Sequence, residues 1–413
     1  MKDFSKPIPQ ESLNIQEKTR SNLFAWRGQF SPQLIESLLT AYCLPGSVVL
    51  DPFAGSGTVL YEAATLSLPA FGFEINPSAW SFSKLYEFTM ASSEEREEAI
   101  MELQKRINHE FPTSFFSEEI ELKEDEFKEI VTRIGESLSD SAKIIFNSLV
   151  VLLDIYKNRI SCDLIQRKFL TLISLIRQLP YSNRPIKADL EDARALPLQE
   201  QSIDFAVTSP PYLNVFNYHQ NYRRSVEVLG WNLLRVARSE IGSNRANRGN
   251  RFYTVIQYCI DMGSVIQELA RVLRTGGRAV LILGHQSQVL GTPFFNARIV
   301  EQLACESKMF RLILRQQRIF KNRYGEMIRE DVLNLEREKY RDDNNLPTVL
   351  GRDAARCLLN AAVGNAPDEN KTLLLDAISR IDQVTGTPIF NSSCYPQYQT
   401  RDGVMMVKEG KPT

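Results

Sequence analysis

The pattern from residue 46 to residue 74 constrains the fold more than any other feature of the chain. A short apolar run at residues 46–51 ends in an aspartate and is followed by a glycine-rich turn at residues 52–58. Helical periodicity then covers residues 59–66, and a second apolar run at residues 70–74 ends in a glutamate. This order of strand, glycine turn, helix and strand predicts the first βαβ unit of a doubly wound α/β sheet.

The glycine turn of this unit is a candidate ligand site. Gly55 and Gly57 let the backbone approach a ligand closely, and the amides that open the next helix attract electronegative groups. Glu74 ends the second strand, where an acid grips ribose hydroxyls. The turn lacks the third glycine of the dinucleotide fingerprint and follows Asp51-Pro52. From these residues alone, NAD binding, S-adenosylmethionine binding and a ligand-free tight turn all stay open.

A second constrained loop follows the apolar strand predicted at residues 203–207. Its sequence is Thr208-Ser209-Pro210-Pro211-Tyr212. The two prolines fix φ and remove two backbone donors, and each residue before a proline is kept out of the helical region. The loop is therefore stiff and extended, and it suits a flat ring that carries an amino group. A carbonyl and a hydroxyl would accept from the NH2 while Tyr212 stacks on the ring. The structural alternative is a rigid loop that ends a core strand.

Taken together, the two loops resemble those of the amino-methyltransferase family of DNA methylases. The chain is similar in particular to the N4-cytosine type, whose catalytic motif is Ser-Pro-Pro-Tyr. Weaker similarities lie around Phe30-Ser31-Pro32, at Asp192-Ala193-Arg194 and at residues 271–277. The resemblance covers about residues 21–80 and 186–320.

The resemblance implies a doubly wound, Rossmann-like α/β methyltransferase sheet with a large helical insertion. It implies S-adenosylmethionine as the cofactor, with no metal. The catalytic residues would be Ser209, Pro210, Pro211 and Tyr212. The cofactor would be bound by Phe30, Asp51, Phe53, Ala54, Gly55, Gly57, Thr58, Glu74, Asn76, Asp192 and Ala193, with Asp192 reading the adenine amino group. Methyl transfer to an exocyclic amine then depends on positioning and electrostatics, without a covalent enzyme intermediate.

A basic and aromatic segment after the Pro-Pro loop favours a nucleic-acid substrate. Arginines outnumber acids between residues 223 and 251, although the formal net charge of the whole chain is -1. The residues expected to bind nucleic acid are Tyr222, Arg223, Arg224, Arg245, Arg248 and Arg251. A solvated basic face is the alternative. His219 is interpreted as a loop hydrogen-bonding residue and His285 as structural.

The chain divides into five predicted segments. These are an N-terminal arm (1–20), the cofactor-binding half of the methyltransferase domain (21–80), a helical insertion that acts as a lid or recognition region (81–187), the catalytic half (188–335) and a C-terminal extension (336–413). After residue 337 the sequence predicts a polar tail with one helical patch at residues 371–384. Residues 321–330 are interpreted as a backbone contact or a strand-end turn.

Composition sets the remaining expectations. The chain has 413 residues, 43% hydrophobic and 24% charged, as in an ordinary soluble globular protein. Its six cysteines are scattered, which argues against zinc and disulfides and for a reducing cytosol. No apolar run reaches the roughly 18 residues needed to span a bilayer. We therefore expect a cytoplasmic, nucleoid-associated protein with no membrane partner.

The expected activity is methyl transfer from S-adenosylmethionine to the N4 atom of a flipped cytosine in double-stranded DNA. The alternatives are adenine-N6 methylation of DNA, guanine-N2 methylation of RNA, and an inactive subunit that binds nucleic acid. The sequence leaves open the target sequence, a monomeric or dimeric state, and whether a cognate restriction endonuclease is a partner.

Overall fold

Helices and strands alternate along the part of the chain that the computed structural model describes, residues 3–26, 28–112, 121–214, 218–243, 247–322 and 325–392. The helices are α1 (Gln10–Asn14), α2 (Pro32–Tyr42), α3 (Thr58–Thr65), α4 (Pro77–Lys84), α5 (Ser93–Glu110), α6 (Glu124–Ser137), α7 (Asp140–Leu152), α8 (Cys162–Arg177), α9 (Arg223–Val228), α10 (Leu233–Val236), α11 (Tyr253–Val272), α12 (Asn296–Glu306), α13 (Leu346–Ala362) and α14 (Asp368–Ser379). The strands are β1 (Val49–Asp51), β2 (Ala70–Phe73), β3 (Ile186–Asp189), β4 (Ile203–Thr208), β5 (Leu273–Gly284), β6 (Ser287–Val289), β7 (Thr292–Phe294), β8 (Phe310–Lys321) and β9 (Met327–Arg337).

A seven-stranded sheet with the order β3-β2-β1-β4-β5-β9-β8 organises these elements. The first five strands in that order are parallel, and β9 runs antiparallel between β5 and β8. The chain steps from β1 outward to β3, then returns to build β4 and β5 on the other side of β1. This reversal opens a crevice at the carboxyl ends of β1 and β4, where doubly wound sheets bind ligands. The predicted α/β class is confirmed.

Helices cover both faces of the sheet. Successive side chains of a strand point to opposite faces, so one strand contributes to two core clusters. In β4, Val207 belongs to a core cluster with α2 and α3, whereas Ala206 belongs to a cluster with α11, α12 and α13. The strands are therefore apolar on both sides. Two-sided burial is what a central parallel strand requires.

The segment between β2 and β3 is helical from α4 to α8. Serine caps fix the starts of three of its helices: Ser92 forms a capping box with Glu95, and Ser139 and Ser161 accept hydrogen bonds from the first turns of α7 and α8. Arg96 is buried in the insertion and donates to backbone carbonyls, including those of Phe88 and Leu179.

In the described ranges, no helix combines the length and apolar character needed to cross a membrane.

The C-terminal third contains two elements that the sequence did not predict, β9 and α13. Strand β8 ends at Lys321, and the Asn322 amide donates to the Glu326 carbonyl at 2.9 Å, as expected for a strand-end turn. The chain then returns as β9, which pairs with both β5 and β8. Residues 346–362 form α13 against α11, where little order was predicted. The α13 contact uses small residues: a Cβ on Gly351 would lie 2.5 Å from the Ile260 Cα atom. Small residues bring the helices close without producing a strong apolar periodicity.

Candidate active site

The loops after β1, β2, β3 and β4 surround one cleft that opens to solvent. Most of the residues predicted from the sequence line it: Phe30, Asp51, Phe53, Ala54, Gly55, Thr58, Glu74, Asn76, Asp192, Ala193, Ser209, Pro211 and Tyr212. Gly57 and Pro210 belong to the same two loops and are buried next to residues that line the cleft. Residues predicted from two distant stretches of sequence thus meet at the crevice of the sheet.

The glycine turn between β1 and α3 depends on backbone conformations that glycine adopts freely. Gly55 has φ of 52° and Gly57 has φ of 88°, both in the left-handed region. A Cβ on Gly57 would lie 2.6 Å from the Tyr86 ring. The turn is therefore fixed both by its φ angles and by packing from the insertion.

Glu74 lies at the carboxyl end of β2 and is half-buried. Its carboxylate accepts from the backbone amides of Gly55 at 3.0 Å and Asn76 at 2.8 Å. Burial raises the pKa of Glu74 to about 7, and these amides oppose the shift. Asn76 is buried beside it, and its side-chain NH2 makes no hydrogen bond within the described structure. The Glu74 carboxylate, which is an acceptor, and the Asn76 NH2 group, which is a donor, therefore lie together beside the glycine turn.

Asp51 connects the glycine turn with the Pro-Pro loop. Thr208 donates a 2.6 Å hydrogen bond to its Oδ1 atom, and the Phe53 amide donates at 3.2 Å. Asp51 is 1% exposed, and burial raises its pKa to about 7 although both hydrogen bonds oppose the shift. The ends of β1 and β4 are thus locked together at the floor of the cleft.

The cleft is acidic. The acids that line it are Asp51, Glu74, Glu191, Asp192 and Glu240, and within the described residues its lining includes no Lys, Arg or His. A dinucleotide would bring two negative phosphates into this environment, at a cost. A ligand with positive charge would be stabilised there. Of the ligands that the glycine turn left open, S-adenosylmethionine, with its sulfonium and ammonium groups, suits this acidic lining better than NAD.

Asp192 is less available to a ligand than the sequence suggested. Arg194 donates to its two carboxylate oxygens at 2.9 and 2.7 Å, and the Phe390 amide donates at 2.8 Å. The neighbouring Glu191 is half-buried and accepts from Ser392 at 2.7 Å. The C-terminal extension therefore reaches the rim of the cleft, and the role of Asp192 in reading adenine stays a prediction.

The Pro-Pro loop is held from several sides. The Tyr258 hydroxyl donates to the Pro211 carbonyl at 3.1 Å. A Cβ on Gly242 would lie 2.5 Å from the Tyr212 carbonyl oxygen, and one on Gly284 would lie 2.6 Å from the Tyr212 ring. The ring thus lies against the end of β5. The hydroxyl of Tyr212 is 3.3 Å from Ser209 Oγ, and both residues line the cleft.

Among the residues that line the cleft, Tyr218 and Glu240 were not predicted as site residues. His219, interpreted as a loop hydrogen-bonding residue, is hydrogen-bonded through Nδ1 to Glu240 at 2.9 Å, as expected. Burial and nearby carboxylates, Glu240 first among them, raise the pKa of Tyr218 to about 12. Glu240 had been counted only as a counter-charge in a basic segment. No local motif marks these residues, because they reach the cleft through the fold of segment 218–243.

The residues expected to bind nucleic acid have different surroundings. Arg223 pairs with Glu227 at 2.8 Å and Arg224 with Glu124 at 2.9 Å, whereas Arg248 and Arg251 are exposed. Tyr222 is half-buried, stacks on Trp26 and donates to the Ala25 carbonyl at 2.9 Å. Arg245 lies outside the described residues.

Across the described ranges, no group of three or more His, Cys, Asp or Glu residues is arranged to hold a metal ion.

Comparison with known proteins adds a finding about the first half of the site. A family model described as DNA methylase matches residues 6–84, which include the glycine turn and Glu74. The resemblance to the DNA methylase family is confirmed over these residues. A type II methyltransferase, M.MjaII of Methanocaldococcus jannaschii, is 33% identical over 67 residues, which are 16% of this chain. The match covers only 13% of the length of that relative.

Solved structures give weaker likenesses. An S-adenosylmethionine-dependent methyltransferase of Methanosarcina mazei aligns with a TM-score of 0.34 and 12% identity, over 73% of this chain and 97% of that one. An rRNA methylase of Streptococcus thermophilus aligns with a TM-score of 0.30 and 10% identity, over 75% of this chain and 98% of that one. Likenesses at this level carry no argument about the reaction.

Proposed function

We propose that the chain is an S-adenosylmethionine-dependent methyltransferase that acts on an exocyclic amino group in DNA, namely N4 of cytosine. One observation carries the proposal: the glycine turn and the Ser-Pro-Pro-Tyr loop meet at a single acidic cleft and are joined by the hydrogen bond from Thr208 to Asp51. The family match over residues 6–84 supports methyl transfer to DNA and is common to cytosine N4 and adenine N6.

The cofactor half of the cleft suits an adenosyl sulfonium. When bound, S-adenosylmethionine supplies a methyl group on positively charged sulfur. Gly55 and Gly57 allow the backbone to approach the ligand, and Glu74 offers carboxylate oxygens to ribose hydroxyls. Asp51 and Glu240 contribute negative charge to the walls, which favours a cation over a neutral ligand.

The substrate half of the cleft suits a planar amine. An amino nitrogen conjugated to a ring is a poor nucleophile, since its lone pair is delocalised. Ser209 Oγ and the Pro210 carbonyl can accept its hydrogens and hold the nitrogen in a geometry that frees the lone pair. The Tyr212 ring stacks on a base flipped out of the helix. Because the prolines and the contacts at Gly242 and Gly284 hold the loop rigid, the acceptors are positioned in advance.

Cytosine N4 is the proposed position because a serine opens the Pro-Pro loop. Adenine N6 in DNA and guanine N2 in RNA need the same acceptors and are the competing substrates. Double-stranded DNA in the nucleoid is the proposed partner, and the exposed Arg248 and Arg251 are the proposed phosphate contacts. An inactive binding subunit would have no need for a rigid acceptor loop beside a cofactor turn.

A filter assay with cofactor labelled in the methyl group, run in parallel on DNA and RNA, tests the proposal. Wild type should label DNA and not RNA, and Ser209→Ala with Tyr212→Ala should abolish labelling. Ser137→Ala with Tyr156→Ala, in the helical insertion, is the matched control and should label DNA like wild type. No transfer to either polymer by wild type would contradict the proposed function.

A further inference from the structure

Glu330 lies beside the Pro-Pro loop, and the proposed function gives this acid no role. It lies on β9 opposite Arg318 of β8, and both strands reach the sheet edge that carries the loop. Its Oε1 atom accepts from the Tyr212 hydroxyl at 3.2 Å, and its Oε2 atom is 3.5 Å from Arg318 Nη1. The side chain of Glu330 is 15% exposed. A chain of polar atoms therefore runs from Ser209 through Tyr212 to Glu330.

The direction of this hydrogen-bond chain follows from counting protons. A phenol has a single proton to donate, and a carboxylate can only accept. Tyr212 gives its proton to Glu330, so its 3.3 Å contact with Ser209 must be a hydrogen bond that Ser209 donates. The Ser209 hydroxyl has then used its only proton. What it presents to any further group is an acceptor lone pair.

We propose that Glu330 is a positioning residue for the transfer: by accepting from Tyr212 it commits the Ser209 proton to Tyr212 and leaves Ser209 as an acceptor for the amino N–H of the substrate. This inference rests on the proposed function. The same hydroxyl without Glu330 is free to turn its proton towards the amine, and two donors would then face each other. The carboxylate thus acts through two hydroxyls without touching the substrate.

A purely structural ion pair would be built differently. Arg318 is 4% exposed, its contact with Glu330 is long, and its Nε atom has no hydrogen-bond partner within the described structure. Such an arrangement satisfies a buried guanidinium poorly. Arg318 does place a positive charge next to Glu330. This charge favours the carboxylate form of Glu330, which the direction of the hydrogen bonds requires.

Protonation of Glu330 would reverse the chain of hydrogen bonds. The charged and titratable groups around it are Arg318 from β8, Tyr212 from the loop, and Tyr218 from the segment after the loop. Burial raises the pKa of Glu330, and Arg318 and Tyr212 oppose that shift. A protonated Glu330 donates to Tyr212, Tyr212 donates to Ser209, and the Ser209 proton turns towards the amine. Turnover should therefore fall on the acid side.

Single-turnover rates with S-adenosylmethionine and unmethylated bacterial genomic DNA test this role, using Glu330→Gln, Tyr212→Phe and the double variant. A phenylalanine keeps the stacking ring and removes only the hydroxyl. A glutamine can donate or accept, so the direction is no longer fixed. Each single variant should lower the maximal rate about tenfold, the equivalent of one lost hydrogen bond. The DNA concentration that gives half of the maximal rate should change little. The double variant should be no slower than either single variant.

The pH dependence supplies the second measurement. The acid limb due to Glu330 should disappear in Tyr212→Phe, while limbs due to Asp51 and Glu74 remain. Glu326→Gln, on an exposed residue of the same hairpin, is the control and should match wild type. An active wild type with additive losses in the double variant, or a pH profile unchanged in Tyr212→Phe, would overturn the role of Glu330 alone. A wild type that methylates neither DNA nor RNA would overturn the proposed function and this role with it.

Discussion

Thr208 donates a 2.6 Å hydrogen bond to Asp51, and through it the last residue of β4 holds the last residue of β1. Both residues are buried, so the bond is shielded from water. The two residues also open the two loops that carry the proposed chemistry. This side-chain contact therefore adds to the backbone pairing of β1 and β4 in fixing the separation between the cofactor turn and the amine acceptors.

Removing the hydroxyl in Thr208→Val should lower both stability and activity. The change keeps the shape of the side chain and leaves Asp51 with one donor fewer, at a cost of about 1–3 kcal/mol in the free energy of unfolding. Thr89→Val is the control, because Thr89 is equally buried but only donates to the Tyr86 carbonyl. Urea unfolding and cofactor titration measure the two effects. Equal losses of cofactor affinity in both variants would contradict the link.

The buried acids predict how stability and ligand binding depend on pH. Burial raises the pKa of Asp51 and of Glu74 to about 7, so between the ordinary carboxyl range and pH 7 the folded protein holds more protons than the unfolded chain. The free energy of unfolding therefore falls as pH rises through that window. A cation in the cleft favours the ionised acids and reverses part of this loss.

S-adenosylmethionine should thus raise the melting temperature more at pH 8 than at pH 6. S-adenosylhomocysteine, which lacks the sulfonium charge, is the matched ligand and should show a weaker dependence on pH. Glu74→Gln should reduce the difference between the ligands. Equal shifts at both pH values for both ligands would show that the acids do not face the cofactor charge.

The glycine turn gives a test that separates backbone strain from steric overlap. Gly57 and Gly46 both have left-handed φ angles, 88° and 80°, but a Cβ on Gly46 would meet nothing within 4 Å. Gly46→Ala should cost roughly 1–2 kcal/mol from φ strain. Gly57→Ala should cost about 1–3 kcal/mol more, because its Cβ overlaps Tyr86. Thermal unfolding checks the order, and loss of cofactor binding should follow Gly57→Ala only.

The exposed arginines after the loop should set the salt dependence of DNA binding. Replacing Arg248 and Arg251 by alanine should lower the slope of log affinity against log salt by about 2 if each contacts one phosphate. The loss should be similar for all sequences. Lys105→Ala with Arg106→Ala, exposed on α5, is the control and should leave the slope unchanged. An unchanged slope in the first variant would place the DNA elsewhere.

Site residues could be predicted from the sequence where the local backbone conformation requires a particular residue type. Gly55, Gly57 and the two prolines each enforce a conformation, so the two loops and the sheet edge that holds them could be predicted. Glu240 and Glu330 could not be predicted, because ordinary surface positions also carry glutamates. Only the fold brings Glu240 to the cleft and Glu330 to the Tyr212 hydroxyl. Strand β9 was not predicted because it carries several charged residues and its apolar and polar residues alternate only weakly. In the structure, Asp331 and Glu336 of this strand are ion-paired with arginines.

The central claim is that Ser209 and Tyr212 hold a cytosine amino group for methylation. Nucleoside mass spectrometry of DNA from a host without its own DNA methylation, expressing the wild-type chain, tests this most directly. We predict N4-methylcytosine with the wild type and none with Ser209→Ala plus Tyr212→Ala. N6-methyladenine in place of N4-methylcytosine, or no modified base despite folded protein, would contradict the claim.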